Sequence, residues 1–203
     1  VTPRLPLLLA LLAACQGAGP PAPAAPETSV VALAITATSP RKTQGGTAQV
    51  VYFVRLAEDV DAARAPELLR SNYTSGGIAY LLDAAPGRYA AVGCFAERDG
   101  YHWTGYFPEG LIRATEREVA AGTAVLLGSY DAELRPMSTT GDQAQHHYLK
   151  IISPEWEQRS QALKLFTRDE HAWIANWRET GDRDEILARM KKRLGPDWSG
   201  RFD

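Results

Sequence analysis

Residues 48–56 read AQVVYFVRL. Val50, Tyr52, Val54 and Leu56 take one parity of this stretch, and Gln49, Val51, Phe53 and Arg55 take the other. A repeat of two is the period of an extended chain, whose side chains point alternately to opposite sides. The residue types agree, because β-branched and aromatic side chains suit a pleated, packed surface. The pattern recurs outward in both directions. Val31, Leu33 and Ile35 alternate in 29–37, and Ile78, Tyr80 and Leu82 in 77–83. Ala85-Pro86-Gly87-Arg88 fits a type II turn, which predicts a hairpin joining 77–83 to a strand over 89–96. Asp99-Gly100 is a second hairpin signal. Further strands are expected over 101–107, 111–115, 123–131 and 143–152, with turns at Pro108-Glu109-Gly110 and Ala121-Gly122. Residues 61–71, carrying Ala62, Leu68 and Leu69, predict a short helix, and 71–77 is turn-rich.

Beyond residue 152 the pattern changes. Ser153-Pro154-Glu155 opens a helix, with Ser as N-cap and Pro in the first helical position. Thr167-Arg168-Asp169-Glu170 has the capping-box pattern, and Trp173 and Trp177, four apart, then share a helix face. Asp182 to Glu185 start another helix, with Ile186, Leu187, Met190 and Leu194 as its apolar stripe and Gly195-Pro196 as its stop. Strands followed by helices predict a mainly β fold: an antiparallel β-sandwich or barrel-like sheet over 29–152, with a C-terminal helical appendage over 153–203 packed on the same domain.

The chain has 203 residues, 22 Lys+Arg against 24 Asp+Glu, and a net charge of −2. That length suits one domain with its own core. The balance of charge gives no footing for a nucleic-acid partner, which asks for a basic excess. No apolar run reaches the roughly 18–20 residues of a bilayer span.

The N-terminus has a composition of its own. Arg4 precedes an apolar stretch from Leu5 to Leu12, and the small residues Ala13 and Ala14 lead to Cys15. A basic start, a short apolar run and small residues describe a secretory signal over 1–14. Leu12-Ala13-Ala14-Cys15 resembles the lipobox of bacterial lipoproteins. The resemblance implies cleavage before Cys15, a diacylglyceryl group on its thiol and an acyl chain on its new amine. It places the protein in the cell envelope, held by lipid. Gln16, where an Asp favours inner-membrane retention in enterobacterial lipoproteins, points to the outer membrane. Residues 16–28 read QGAGPPAPAAPET, a composition that cannot build a core. With Cys15 it is expected to be a tether over 15–28. At about 3.1 Å per residue in an extended form, it would lift the folded part by roughly 40 Å.

The strand 77–83, the Pro86-Gly87-Arg88-Tyr89 turn, the strand after it, and Ala121-Gly122 before Val125-Leu126-Leu127-Gly128 resemble small β-sandwich domains of envelope lipoproteins. More distantly they resemble transthyretin-like accessory domains. These families have no single activity.

Candidate chemistry is sparse. Cys94, on a strand with Ala90 and Val92, is expected to be a lone core thiol. His146 and His147 are adjacent on an expected strand, so their rings point apart and do not chelate one metal together. A site combining either with His102 and a carboxylate is the enzymatic alternative. Tyr101-His102-Trp103-Thr104-Gly105-Tyr106-Phe107 is the densest aromatic stretch. Alternation puts Tyr101, Trp103 and Phe107 on one face, and His102, Thr104 and Tyr106 on the other. One face is core, and the other is a candidate recognition surface for glycan or peptide. Asp169-Glu170-His171 reads as acids favoured in a helix's first turn, and Arg189 with Lys191-Lys192-Arg193 as cations favoured in a last turn. Anionic lipid headgroups are the second reading of that cationic cluster. No nucleotide, serine-hydrolase or zinc-protease motif occurs, and neither cofactor nor metal is expected. The expected role is a lipid-anchored binding or assembly module for an envelope protein or glycan. The alternatives are an envelope hydrolase or metal-dependent enzyme around His102, His146 and His147, and a plain spacer.

Overall fold

The computed structural model describes residues 19–38, 45–56, 67–98, 101–136 and 170–202. The strands in this part are β1 (Ser29–Thr38), β2 (Gly45–Thr47), β3 (Val50–Leu56), β4 (Glu67–Arg70), β5 (Tyr73–Ser75), β6 (Ile78–Ala84), β7 (Gly87–Arg98), β8 (Tyr101–Tyr106), β9 (Arg117–Val119), β10 (Ala124–Pro136) and β11 (Glu170–Glu179). The helices are α1 (Glu109–Thr115), α2 (Arg183–Leu194) and the short α3 (Pro196–Ser199), which runs into a 3-10 turn at Gly200–Phe202. The fold is mainly β, as the alternation predicts.

Hydrogen bonding follows the path β4-β3-β7-β8-β11-β10-β1-β6-β5, with β2 added to β1 and β9 to β7. Pairing is antiparallel except at β1/β10 and β8/β11, which are parallel. The path has two ends, β4 and β5, so it is not a closed barrel. It folds into two layers, β4-β3-β7-β8 against β10-β1-β6-β5. Between them lies the main core, built from Val31, Leu33 and Ile35 of β1, Val51 and Phe53 of β3, Tyr89, Ala91 and Cys94 of β7, Phe107, Leu111 and Leu127.

β1 shows why the layers stack. Val31, Leu33, Ile35 and Ala37 face this core, while Val30, Ala32 and Ala34 face the other way and are buried too. Their cover is α2. Asp182 caps that helix, its Oδ1 accepting from the amides of Asp184 (2.8 Å) and Glu185 (3.0 Å). Ile186, Met190 and Leu194 then recur at intervals of four and lie on Val30, Ala32, Ala34, Ile78, Tyr80 and Leu82, joined by Trp198.

Four local expectations are corrected. Residues 67–70 are strand β4, not part of a helix, because Leu68 and Leu69 pair with Val54 and Phe53. The link Ser71-Asn72 then crosses between the layers. Ser71 exchanges bonds with Val51, its amide donating to the carbonyl (2.8 Å) and its Oγ accepting from the amide (3.0 Å). The Asn72 carboxamide bonds both the carbonyl and the amide of Leu82. The turn-rich stretch after it holds β5.

Second, β6 and β7 are not a hairpin. β6 pairs with β1 and β5, and β7 with β3, β8 and β9. Ala85-Pro86 bends the chain into the opposite layer, where the Tyr89 hydroxyl donates to the Ala85 carbonyl (2.7 Å). Turn chemistry fixes a bend, not whether the flanking strands go on to pair.

Third, 111–115 is helical. The run Leu-Ile is too short to reveal its period, and α1 is supported by the Glu109–Arg113 pair one turn apart (2.6 Å). α1 fills a gap along one edge of β7, where β8 pairs with Gly93–Arg98 and β9 with Gly87–Tyr89. There Thr115 Oγ1 accepts from the Ala91 amide (2.9 Å), replacing a strand partner.

Fourth, 170–179 is β11, a strand in the bend between the layers, not a helix. A spacing of four fits one side of a regular strand as well as of a helix, so the pattern of Trp173 and Trp177 does not discriminate, and the strand's register slips between Ile174 and Asn176. With no helix there, the dipole reading of Glu170-His171 falls. The expected strand 143–152, the helix opening at Ser153 and the histidines 146 and 147 lie outside the described residues.

Candidate functional site

The N-terminal segment from Pro21 to Thr28 is tied to the body by side chains from distant parts of the chain. Pro and Ala in extended form offer carbonyls, and Pro has no amide to donate. Donors must come from the body, and the last residues of the chain supply them. Trp198 Nε1 donates to the Pro21 carbonyl (2.8 Å). Arg201 donates through Nε to the Thr28 carbonyl (2.7 Å) and through Nη2 to the Ala25 carbonyl (2.9 Å). Its guanidinium also lies 4.7 Å from the centroid of the Trp198 ring. The Gly122 amide donates to the Glu27 carbonyl (2.9 Å).

On the other side the segment is held by Asp83. This residue has φ 59, a left-handed conformation that few residues other than Gly adopt. It sits where the β1/β6 register slips, between the pairs Ser29/Ala84 and Val30/Leu82. The slip turns its carboxylate outward, and Oδ1 accepts from the Ala24 amide and the Thr28 hydroxyl, both at 2.8 Å. Asp83, Trp198 and Arg201 were not singled out by the sequence. The available signal was an isolated Trp and Arg beyond the stop of α2.

These contacts bear on part of the expected tether. Residues 21–28 are docked along the body. From Cys15 to Pro21, the first held among the described residues, six peptide steps span at most about 20 Å.

A second feature is aromatic. Trp177 is the large apolar side chain left exposed among the described residues, at 37%. Its ring meets Tyr130 edge-on, with centroids 5.6 Å apart. Tyr130 in turn lies over Gly128, whose φ of 152 and missing Cβ make room: a Cβ there would come within 2.5 Å of the ring. Burial raises the pKa of Tyr130, helped by the Glu179 carboxylate. Trp177 is flanked by Arg178 on Asp131 (2.9 Å) and Asn176 on Glu133 (2.8 Å). An exposed indole between hydrogen-bonding neighbours suits stacking on an apolar ring face.

The expected recognition strand is placed differently. Tyr106 is fully buried, packed with Val50, Tyr52, Val54, Ala90 and Val92, so it is no part of an open surface. Phe107, of the opposite parity, is in the main core. The backbones of Tyr101, His102 and Trp103 pair with Arg98, Glu97 and Ala96, and Thr104 is in register with His171 of β11. Cys15 lies outside the described residues. Cys94 is a free, fully buried thiol, and burial pushes its pKa far up, against a backbone hydrogen bond from Gly105. A thiolate nucleophile is not formed there. Among the described residues no three His, Cys, Asp or Glu side chains group as a metal site requires, and no helix is long and apolar enough to cross a membrane. Comparison with family models, curated proteins and solved structures found no match.

Proposed function

We propose that the chain is a lipid-anchored protein of the bacterial cell envelope, acting as a binding or assembly module held close to its membrane. The observation that carries this is Leu12-Ala13-Ala14-Cys15 behind an apolar stretch with a basic start. Each buried CH₂ of an acyl chain contributes about 0.8 kcal/mol, so two or three chains on Cys15 anchor the protein without a spanning helix. The outer membrane is the proposed location, from Gln16. The docked 21–28 segment supports a close seat, because the anchor is then at most about 20 Å from the body. For contacts with an envelope protein or glycan, the Trp177 surface takes the role first expected of His102 and Tyr106.

Two measurements test this. Wild-type protein expressed in a bacterial host should take up radiolabelled fatty acid and sediment with membranes, and Cys15→Ser should do neither. Sedimentation of Cys15→Ser with membranes at the wild-type level overturns the anchor. Separately, the wild-type protein and Trp177→Ala are passed over immobilised peptidoglycan and lipopolysaccharide. Retention of wild type that Trp177→Ala loses supports the binding surface, and equal behaviour of the two counts against it.

A further inference from the structure

We propose that the last turn of α2 is a membrane-contact surface, seated on anionic lipid headgroups by the anchor that leaves beside it. This rests on the reading of Cys15 as the lipid attachment point.

Arg189, Lys191, Lys192 and Arg193 are all exposed and fall within five consecutive positions. The acids of α2, Asp182, Asp184 and Glu185, are at its opposite end. A helix dipole accounts for cations in a last turn, but it says nothing of where that turn sits. Here the position is informative. Gly195 links α2 directly to α3, and Trp198, four residues past Leu194, binds the Pro21 carbonyl. Trp198 thus ties the docked segment to the short helix that follows the cationic turn. With at most about 20 Å of chain back to Cys15, acyl chains in a bilayer leave this turn within reach of the headgroups. Asp197 and Glu27 are acids at the same end. The surplus of positive charge belongs to α2 itself. Arg193 marks the side it faces, since its guanidinium lies against Gly76 in the β5–β6 turn. Clustered Lys and Arg close to a membrane attract acidic lipids, and the attraction fades within a Debye length. A connection of at most about 20 Å lets the cluster reach that range, a Debye length of about 8–10 Å, and the charge itself must then hold it there.

The test uses full-length acylated protein in vesicles of phosphatidylcholine, alone or mixed with phosphatidylglycerol, carrying a headgroup quencher. Lys192→Cys is labelled with a fluorophore, and Glu133→Cys, at the far end of β10, is the control. Cys94 is buried and stays unlabelled. Quenching at 192 should rise several-fold on adding phosphatidylglycerol and fall again at high salt, while 133 stays unchanged. Arg189→Glu combined with Arg193→Glu should abolish the rise at 192 while the protein remains on the vesicles. Equal quenching at 192 in both lipids, with the protein vesicle-bound, overturns the proposal and leaves the anchor standing. Failure of the acylated protein to stay on either vesicle overturns the anchor itself.

Discussion

Two sheet faces point away from the main core, and they are closed by different means. On β1, β6 and β10 the outer face is paved mostly with modest side chains, Val30, Ala32, Ala34, Ile78, Leu82 and Leu126, and large ones descend on it from α2 and α3. On β3, β7 and β8 the outer face carries its own bulk: Val50, Tyr52, Val54 and Tyr106, with Leu56, Leu68, Phe95 and Ile112 packed against them. Close packing needs the facing volumes to be complementary. Alanines at 32 and 34 let α2 come near, and its Met190 with Trp198 of α3 fills what they leave. The first face therefore depends on a separate element docking correctly, and the second on its own side chains.

The largest test of that difference is Trp198→Ala. Trp198 is fully buried, so its loss should cost about 3–5 kcal/mol in denaturant unfolding. The loss should be accompanied by release of residues 21–28, which become a site of proteolytic cleavage. Trp198→Phe retains most of the volume and loses only the bond to Pro21, so it should cost about 1 kcal/mol. Next in size is Ala32→Leu, which overfills the space under α2. A cost of about 1–3 kcal/mol is expected, with amide protection lost in α2 before it is lost in β3 or β7. Uniform loss across both layers would show that the two faces are not independently closed.

The two faces also differ in what they hide. Tyr80 lies under α2, and its hydroxyl has no hydrogen-bond partner among the described residues. Burial, with the neighbouring Tyr73, raises its pKa from 10.0 to about 12. Between those values the unfolded chain has lost a proton that the fold still holds. Stability therefore falls as pH rises through this window, by at most about 1.4 kcal/mol per unit, and is untouched by this group below it. Cys94 acts in the same direction. In Tyr80→Phe the alkaline slope measured by urea unfolding should shrink. At neutral pH the variant should equal wild type or exceed it by about 1 kcal/mol, because an unsatisfied buried hydroxyl is removed. A marked loss at neutral pH would mean that the hydroxyl is bonded.

These features also mark the limits of what the sequence discloses. The alternation over 29–37, 48–56 and 77–83 is enough for a mainly β fold, and Asp182 with the Ile186-Met190-Leu194 stripe is enough for α2. The layer to which each strand belongs is not local information. Pro86-Gly87 bends the chain identically whether β7 pairs with β6 or leaves for the other layer. Trp173 and Trp177 satisfy both periods, and only pairing with β10 and β8 makes their segment a strand. Tyr106 and Phe107 lie on opposite faces, but parity cannot say that a face is covered. At the candidate site the Pro/Ala composition shows that residues 16–28 cannot fold alone. It does not show that donors from residues 198 and 201 hold part of them in place. Such a contact joins the two ends of the chain and leaves no pattern in either.

The smallest effect on global stability, and the sharpest on the helix-covered face, is expected at Asp83. Its carboxylate fixes Ala24 and Thr28 but touches neither core. Asp83→Asn retains an acceptor oxygen and tolerates the left-handed backbone, so opening of residues 21–28 should change little. Asp83→Ala loses both bonds and places a Cβ with no compensating contact at φ 59. Opening of the segment should rise at least about tenfold, the equivalent of one hydrogen bond to a charged group. Hydrogen exchange at the Ala24 amide, which donates to Asp83, reads this directly. The global unfolding midpoint should move much less, because a surface segment opens without the sheet. If instead Asp83→Ala unfolds the whole molecule at a much lower denaturant concentration, the segment belongs to the cooperative core. Residues 21–28 would then be a structural member of the fold and not a segment docked on its surface.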